Sequence, residues 1–266
     1  MNPMLNTAVR AARAAGDTII RSWERADDLD VATKGRHDFV TEVDRFAEQR
    51  IVDTLSQAYP SHAILGEEGG THREGSGTRW IIDPLDGTTN FLQGLPHFAV
   101  SIALEVDGQL DQAVIYDPAK NDLFTASKGG GAQLNERRIR VTDPRGLEGT
   151  VLATGFPFKY PELIQAHGDV LQDFLGYTSG MRRWGSAALD LAYVAAGRYD
   201  GYWEHRLSPW DMAAGILIAR EAGGIVTDFN GGGDSFTTGD VVAAPPRLHK
   251  AMLRSISERV PADLRN

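Results

Sequence analysis

Three stretches of the chain each release carboxylates at the end of an apolar run. "ILGEEGG" leaves with Glu67 and Glu68, "WIIDPLDGTTNF" with Asp83 and Asp86, and "SPWDMAAG" places Asp211 in the first turn of a helix. Taken singly, each has an ordinary structural reason: acids complement the dipole at helix N-termini, and Pro-Leu-Asp-Gly reads as a turn. Taken together they suggest a cation, because hard ions such as Mg²⁺ collect oxygen ligands from converging loops and share them with substrate phosphate. Pro84 stiffens the strand exit, so that Asp83 and Asp86 can face one small volume. Gly87, with Thr88 and Thr89 opening a helix, then offers backbone N–H groups to an anion. A carboxylate pair beside such a nest is the pattern of metal-assisted phosphate chemistry, in which two cations stabilise the attacking and leaving oxygens.

The elements that must position these groups follow from periodicity. Leu5, Ala8, Val9, Ala12, Ala15, Ile19 and Trp23 form one face of a helix over 4–26, and Val43, Ala47, Ile51 and Leu55 do so for 41–59, with Thr41 as its N-cap. The period then changes. "HAILG" and "RWIID" read as short strands, and "HFAVSIALEVDGQLDQAVIYD" as a hairpin turning at Asp107-Gly108. "DLFTAS" and "RIRV" continue the strand signal. Helices are expected near 161–175, on "SAALDLAYVAAG", on "WDMAAGILIAREAGG" and from about 246, with strands at "YDGYWE" and "IVTDF". Antiparallel pairing first and alternation later predict a mixed α/β fold of layered sheets and helices. The chain reads as one domain over 1–266, with possible halves at 1–145 and 146–266 meeting near "TDPRGLEGT".

Composition narrows the function. The 266 residues carry no cysteine, which removes disulfides, thiolate metal sites and cysteine nucleophiles, so any metal must be held by oxygen or imidazole. A net charge of −9 argues against direct nucleic-acid binding. No stretch of about 18 consecutive apolar residues occurs and no signal-peptide pattern opens the sequence, so a cytoplasmic location without membrane contact is expected. None of the seven histidines falls in a metal-ligand spacing, and His97 reads as a hydrogen-bonded residue at a strand start.

"GEEGG", "WIIDPLDGTTNF", "GSAALDLAYVAAGRYDGYWE" and "SPWDMAAG" stand in the order and spacing of the inositol monophosphatase family. The chain resembles that family over nearly its whole length, and within it the bacterial extragenic-suppressor type. The resemblance implies a layered α/β/α/β/α sandwich, a homodimer, two or three Mg²⁺ per site and sensitivity to lithium. It implies that Glu67, Asp83 and the Leu85 carbonyl bind a first Mg²⁺, and that Asp83, Asp86 and Asp211 bind a second. Thr88 and Asp44 would orient the attacking water. Glu67, Asp86, Gly87, Thr88, Thr89, Arg183, Ser186, Ala187, Glu204 and Asp211 would meet the substrate, with Gly87 to Thr89 on the phosphate and Ser186, Ala187 and Glu204 on its alcohol. Lys34, on the loop before Asp44, resembles a family lysine near the phosphate.

The substrate implied is a small phosphorylated polyol, myo-inositol 1-phosphate first, since Glu204 suits ring hydroxyls. Relatives that cleave histidinol phosphate, 3′-phosphoadenosine 5′-phosphate or fructose 1,6-bisphosphate are the rivals. A different class of reading, also from the resemblance, is a regulator that binds the transcription machinery, with exposed Arg182, Arg183 and Trp184 as its anchors. The chain departs from the family at His205 and Arg206, which are expected to reshape the alcohol pocket or add positive charge near it.

Overall fold

The computed structural model describes residues 2–23, 31–35, 38–74 and 77–265, without the side chains of 31–41 and 73. Helix α1 spans Pro3–Trp23 and is followed by the short hairpin β1 (Val31–Gly35) and β2 (Asp38–Thr41), which leads directly into α2 (Glu42–Ala58). Then come β3 (Ala63–Gly66), β4 (Gly70–Arg73), β5 (Thr78–Asp86), the one-turn α3 (Thr88–Leu92), β6 (Ala99–Val106), β7 (Gln109–Asp117), β8 (Asp122–Ser127), β9 (Gly131–Leu134) and β10 (Arg137–Arg138). The second half comprises β11 (Val151–Thr154), α4 (Ile164–Leu175), β12 (Gly180–Arg182), α5 (Ala187–Ala195), β13 (Gly201–Glu204), α6 (Pro209–Glu221), β14 (Ile225–Thr227), α7 (Ser235–Thr238), β15 (Val241–Ala244) and α8 (Pro246–Arg259).

β3 to β10 form one sheet in the order β10-β9-β8-β7-β6-β5-β3-β4, antiparallel except where β3 runs beside β5. β11 to β15 form a second sheet in the order β12-β11-β13-β15-β14, whose first three strands are parallel. The apolar faces fix the layering. Ala12, Ile19, Ile51 and Leu55 of α1 and α2 pack on Trp80, Ile82 and Ile102 of the first sheet. On that sheet's other face, Ile81, Ala103 and Ile115 meet α5 and α6, which also cover Tyr202 and Ala243 of the second sheet. Val170 and Phe174 of α4, with Met252 and Ile256 of α8, close the outer face over Trp203 and Val242. The result is the expected α/β/α/β/α sandwich. A helix between two sheets must be apolar all round, and α6 is, with Met212 to Ala219 buried in an unbroken run. Gly215 permits its contact with α5, because a Cβ there would lie 2.6 Å from Leu191.

The element expectations hold in outline and fail in detail. "RIRV" is not a strand: only Arg137 and Arg138 pair, with Leu134 and Gln133, before the chain leaves the sheet. β1, β2, β4, β9, β12 and β15 carry too few residues for a period to show. Thr41 ends β2, and its side chain, like that of Lys34 in β1, lies outside the described residues. The chain passes from the first sheet to the second between residues 139 and 150. No described helix is long and apolar enough to cross a membrane.

Candidate active site

Strand β5 carries the central device. Side chains in a regular strand alternate faces, so Asp83 and Asp86 should point to opposite sides of the sheet. They do not, because the register slips: Asp83 stands opposite Ser101 and Asp86 opposite Ala99, three steps on β5 against two on β6. The extra residue is a bulge, a feature that re-aims side chains beside functional sites. Pro84, lacking an N–H, costs no ladder hydrogen bond there, and the Leu85 N–H donates to Asp83 Oδ1 at 3.0 Å. Both carboxylates therefore face one cleft.

Other elements deliver the remaining acids. Glu67 follows β3, with its N–H bound to the Ile82 carbonyl at 3.2 Å. Asp211 sits in the first turn of α6, where its Oδ2 accepts the Ser208 N–H at 2.7 Å. Asp86 Oδ2 accepts the Ser186 hydroxyl at 2.6 Å and the Ala188 N–H at 2.7 Å, at the N-terminus of α5. Thr88 Oγ1 lies 3.1 Å from both Asp44 Oδ1 and the Leu85 carbonyl oxygen, so its one proton can serve either. Gly87 turns the chain with φ +97°, and a Cβ there would stand 3.0 Å from the His97 carbonyl. Substitution would block the turn that aims the first N–H groups of α3, which by position have no partner within the helix.

Glu67, Asp83, Leu85, Asp86, Asp211 and the segment 87–89 line one cleft of ≈ 470 Å³. Its electrostatics are unusual. Burial, then the charges of Glu67, Asp86 and Asp211, raise the pKa of Asp83 well above the usual carboxylate range. Burial likewise raises Asp211, and it pushes Asp86 up to about 6 against the opposing hydrogen bonds from Ser186 and Ala188. Among the described residues no group of three or more acids and histidines is already placed to hold a metal ion. An oxygen-rich open site that leaves room for water and phosphate oxygens is what Mg²⁺ uses, and the mutual repulsion of the acids is the kind a cation relieves.

Several expected residues are placed differently from their expected contacts. Ser186 and Ala187 do not line the cleft; Ser186 spends its proton on Asp86 and accepts the Leu189 N–H as helix cap. Glu204, also outside the lining, accepts the Tyr202 hydroxyl, and burial pushes its pKa up to about 7. Arg183 does line the cleft, and its guanidinium lies over Phe156 at 5.7 Å and Phe158 at 5.3 Å. His205 is a correction: it points away from the cleft into the outer core, packed on Phe229 and His167, with its Nδ1 3.7 Å from Asp240 Oδ1. Arg206 turns with φ +54° toward the Thr238 carbonyl. Neither lines the cleft. His97 is buried against Trp184 and Tyr193, and its carbonyl accepts from Asn90 Nδ2 at 2.7 Å, while its ring Nε2 has no hydrogen-bond partner among the described residues.

Reasoning from sequence missed Phe158 and Lys159, which form the cleft rim, and Asp190, a buried acid whose Oδ1 lacks a partner. Asp190 could have been noticed as the one acid in the apolar run "AALDLAYVAA".

The family model described as "Inositol monophosphatase family" matches residues 1–261. The chain belongs to the inositol monophosphatase family. It is 52% identical over 270 residues to a protein of Pseudomonas aeruginosa named Nus factor SuhB, covering 100% of each chain. A Vibrio cholerae protein of the same name is 54% identical over 259 residues, 97% of each. Among solved structures, the extragenic suppressor protein suhB from Bartonella henselae superposes with a TM-score of 0.94 at 46% identity, over 97% of this chain and 100% of that one. Inositol monophosphatase from Anabaena superposes with a TM-score of 0.85 at 36% identity, over 97% of both. These likenesses confirm the sandwich fold and, with family membership, phosphatase chemistry of this type.

Proposed function

We propose that the chain hydrolyses a small phosphorylated polyol, myo-inositol 1-phosphate first among them, with Mg²⁺ as cofactor. The observation that carries this reading is the convergence of Glu67, Asp83, Asp86 and Asp211 on one cleft, made possible by the β5 bulge and accompanied by raised pKa values. In this reading Glu67, Asp83 and the Leu85 carbonyl would hold one Mg²⁺ and Asp83, Asp86 and Asp211 a second, with two or three cations per site. Bound there, the cations supply neutralisation of the phosphoryl charge and stabilise the incoming and departing oxygens. The protein's own part is orientation. Asp44, almost fully buried, accepts the Thr88 proton, which leaves Thr88 Oγ1 as an acceptor that fixes a water facing phosphorus. The N–H groups of Gly87, Thr88 and Thr89 receive the phosphate, and Arg183 and Lys159 offer positive charge at the rim. Glu204, which stands outside the cleft lining and accepts the Tyr202 hydroxyl, keeps the alcohol role that the family resemblance implies. No covalent intermediate is needed, since phosphoryl transfer is accelerated mainly by positioning and charge stabilisation.

Hydrolysis of a panel of monophosphates with and without Mg²⁺ tests the proposal, with Asp83→Asn as the decisive variant. It should fold, lose Mg²⁺-dependent turnover and bind the cation far more weakly. Near-normal turnover in the variant would refute the shared-ligand assignment; preference for histidinol phosphate, a nucleotide or a sugar bisphosphate would refute the polyol.

A second reading has its own support in the relatives named Nus factor SuhB at 52% and 54% identity. Arg182, Arg183 and Trp184 are exposed side by side, as a protein-binding surface requires. We therefore also propose a transcription-machinery protein as partner, alongside a homodimeric, cytoplasmic state. Co-purification of RNA polymerase components with the intact chain, lost on Trp184→Ala while turnover persists, is the expected outcome.

A further inference from the structure

Glu48 lies one helical turn beyond Asp44, so both project from the same face of α2. Asp44 meets Thr88, whereas Glu48 reaches the turn that carries Glu67. Its Oε2 accepts the Glu68 N–H at 2.9 Å, and its Oε1 accepts the Gly69 N–H at 2.7 Å and faces His72 Nε2 at 2.7 Å. The carboxylate is 3% exposed. The turn is shaped around it: a Cβ on Gly66 would stand 2.4 Å from Glu48 Oε2, and one on Gly69 would stand 3.0 Å from Oε1 and 2.2 Å from the His72 ring. A segment with glycine at 66, 69 and 70 has little stiffness of its own, and on its cleft side it is tied by the Glu67 N–H to the Ile82 carbonyl.

We propose that Glu48, steadied by His72, is the positioning residue that holds the Glu67 turn ready for a divalent cation, and so sets the cation affinity of the cleft. This rests on the metal reading given above. A buried carboxylate bound to two N–H groups and an imidazole fixes the turn through charge-assisted bonds. Groups that orient a ligand in this way cost about 10- to 100-fold in metal affinity when removed.

The test is Mg²⁺ titration calorimetry on the full chain, stripped with chelator and free of substrate, together with amide hydrogen exchange across 67–72. Glu48→Gln keeps the volume but cannot accept from both N–H groups and His72. It should weaken Mg²⁺ binding about 10- to 100-fold and speed exchange at Glu68 and Gly69, while kcat returns toward the parent value at saturating Mg²⁺. His72→Ala should give a smaller loss in the same direction. Parent-like affinity in Glu48→Gln overturns the proposal and leaves the metal reading intact. If Glu48→Gln fails to fold, His72→Ala and Gly69→Ala decide, and parent-like affinity in both overturns it equally. Should the parent bind Mg²⁺ no better than Asp83→Asn, the metal reading falls and this inference falls with it.

Discussion

Gly155 offers a sharp test of where the Glu204 carboxylate sits. A Cβ at this position would lie 1.8 Å from Glu204 Oε1 and 1.9 Å from its Cδ, whereas real contacts essentially never fall under 3.0 Å. In Gly155→Ala the carboxylate must therefore move by more than about 1 Å, which takes it from the Tyr202 hydroxyl. Tyr202 is fully buried, so its O–H is left without a partner at a cost of about 1–3 kcal/mol. The backbone at Gly155 is not in the left-handed region, so alanine itself strains nothing and gains about 0.4–1 kcal/mol through the unfolded chain. The net expectation is a loss of about 1–2 kcal/mol, read as a lower urea midpoint at unchanged slope.

The same substitution made in a Glu204→Ala background meets no carboxylate and inherits a Tyr202 already unpaired. There it should be neutral or stabilising, so the destabilisation is confined to the parent background. In activity, Gly155→Ala should mimic Glu204→Gln. Both should lose about ten- to a hundredfold in kcat/KM on myo-inositol 1-phosphate, equivalent to one hydrogen bond to a charged acceptor, and little on an aryl phosphate. Equal destabilisation in both backgrounds, or equal losses on both substrates, would refute the placement of Glu204 as an acceptor for the alcohol.

Two further outcomes follow from the same structure. Burial lowers the pKa of His97 to about 4 and, aided by His205, that of His167 to about 3, so both are neutral in the folded chain while the unfolded chain takes up protons below about 6.5. The stability they confer is thus complete above about 6.5 and lost as pH falls, each histidine withdrawing about 1.4 kcal/mol per pH unit toward its folded value; replacing His167 with Phe should shallow the acid limb of a melting-temperature profile, and an unchanged limb would exclude its role. Lithium at millimolar concentration should inhibit turnover through the cation position at Asp86 and Asp211, and inhibition that persists unchanged in Asp211→Asn would place it elsewhere.

The acidic motifs were legible because chemistry confines them to short loops at element ends, where sequence spacing nearly equals spatial spacing. Glu67, Asp83, Asp86, Thr88 and Asp211 accordingly meet in one cleft. The bulge between Asp83 and Asp86 was not legible, since a slip of register is a property of two strands and only one is written at that place in the sequence. His205 was misplaced for a related reason. As the residue after Glu204 it is expected beside the alcohol pocket, yet just past the end of β13 it packs among Trp203, Phe229 and His167. Strands such as β15, four buried residues between Asp240 and Pro245, carry no alternation to read because both of their faces are covered.

The way the acids are held bears on how the site works. Asp83 is tied by the Leu85 N–H, Asp86 by Ser186 and the Ala188 N–H, Asp211 by the Ser208 N–H, and the Glu67 turn by the Glu48 carboxylate. The ties come from the β5 bulge, the starts of α5 and α6, and α2, and they orient the acids and the Glu67 turn before a ligand arrives. Without those ties, like charges in a buried cleft would swing apart into water, since side-chain entropy and repulsion act in the same direction. With them, the acids stay in the cleft with raised pKa values, through burial first and, at Asp83 and Asp211, through the neighbouring carboxylates as well. Under the proposed metal reading, a cation bound at the cleft would meet oriented oxygens with little reorganisation to drive, the condition under which fixed charges contribute most to catalysis. The sandwich serves that end directly: α2, the bulged β5 and the helix pair α5 and α6 come from three successive layers, and the cleft lies where all of them can reach it.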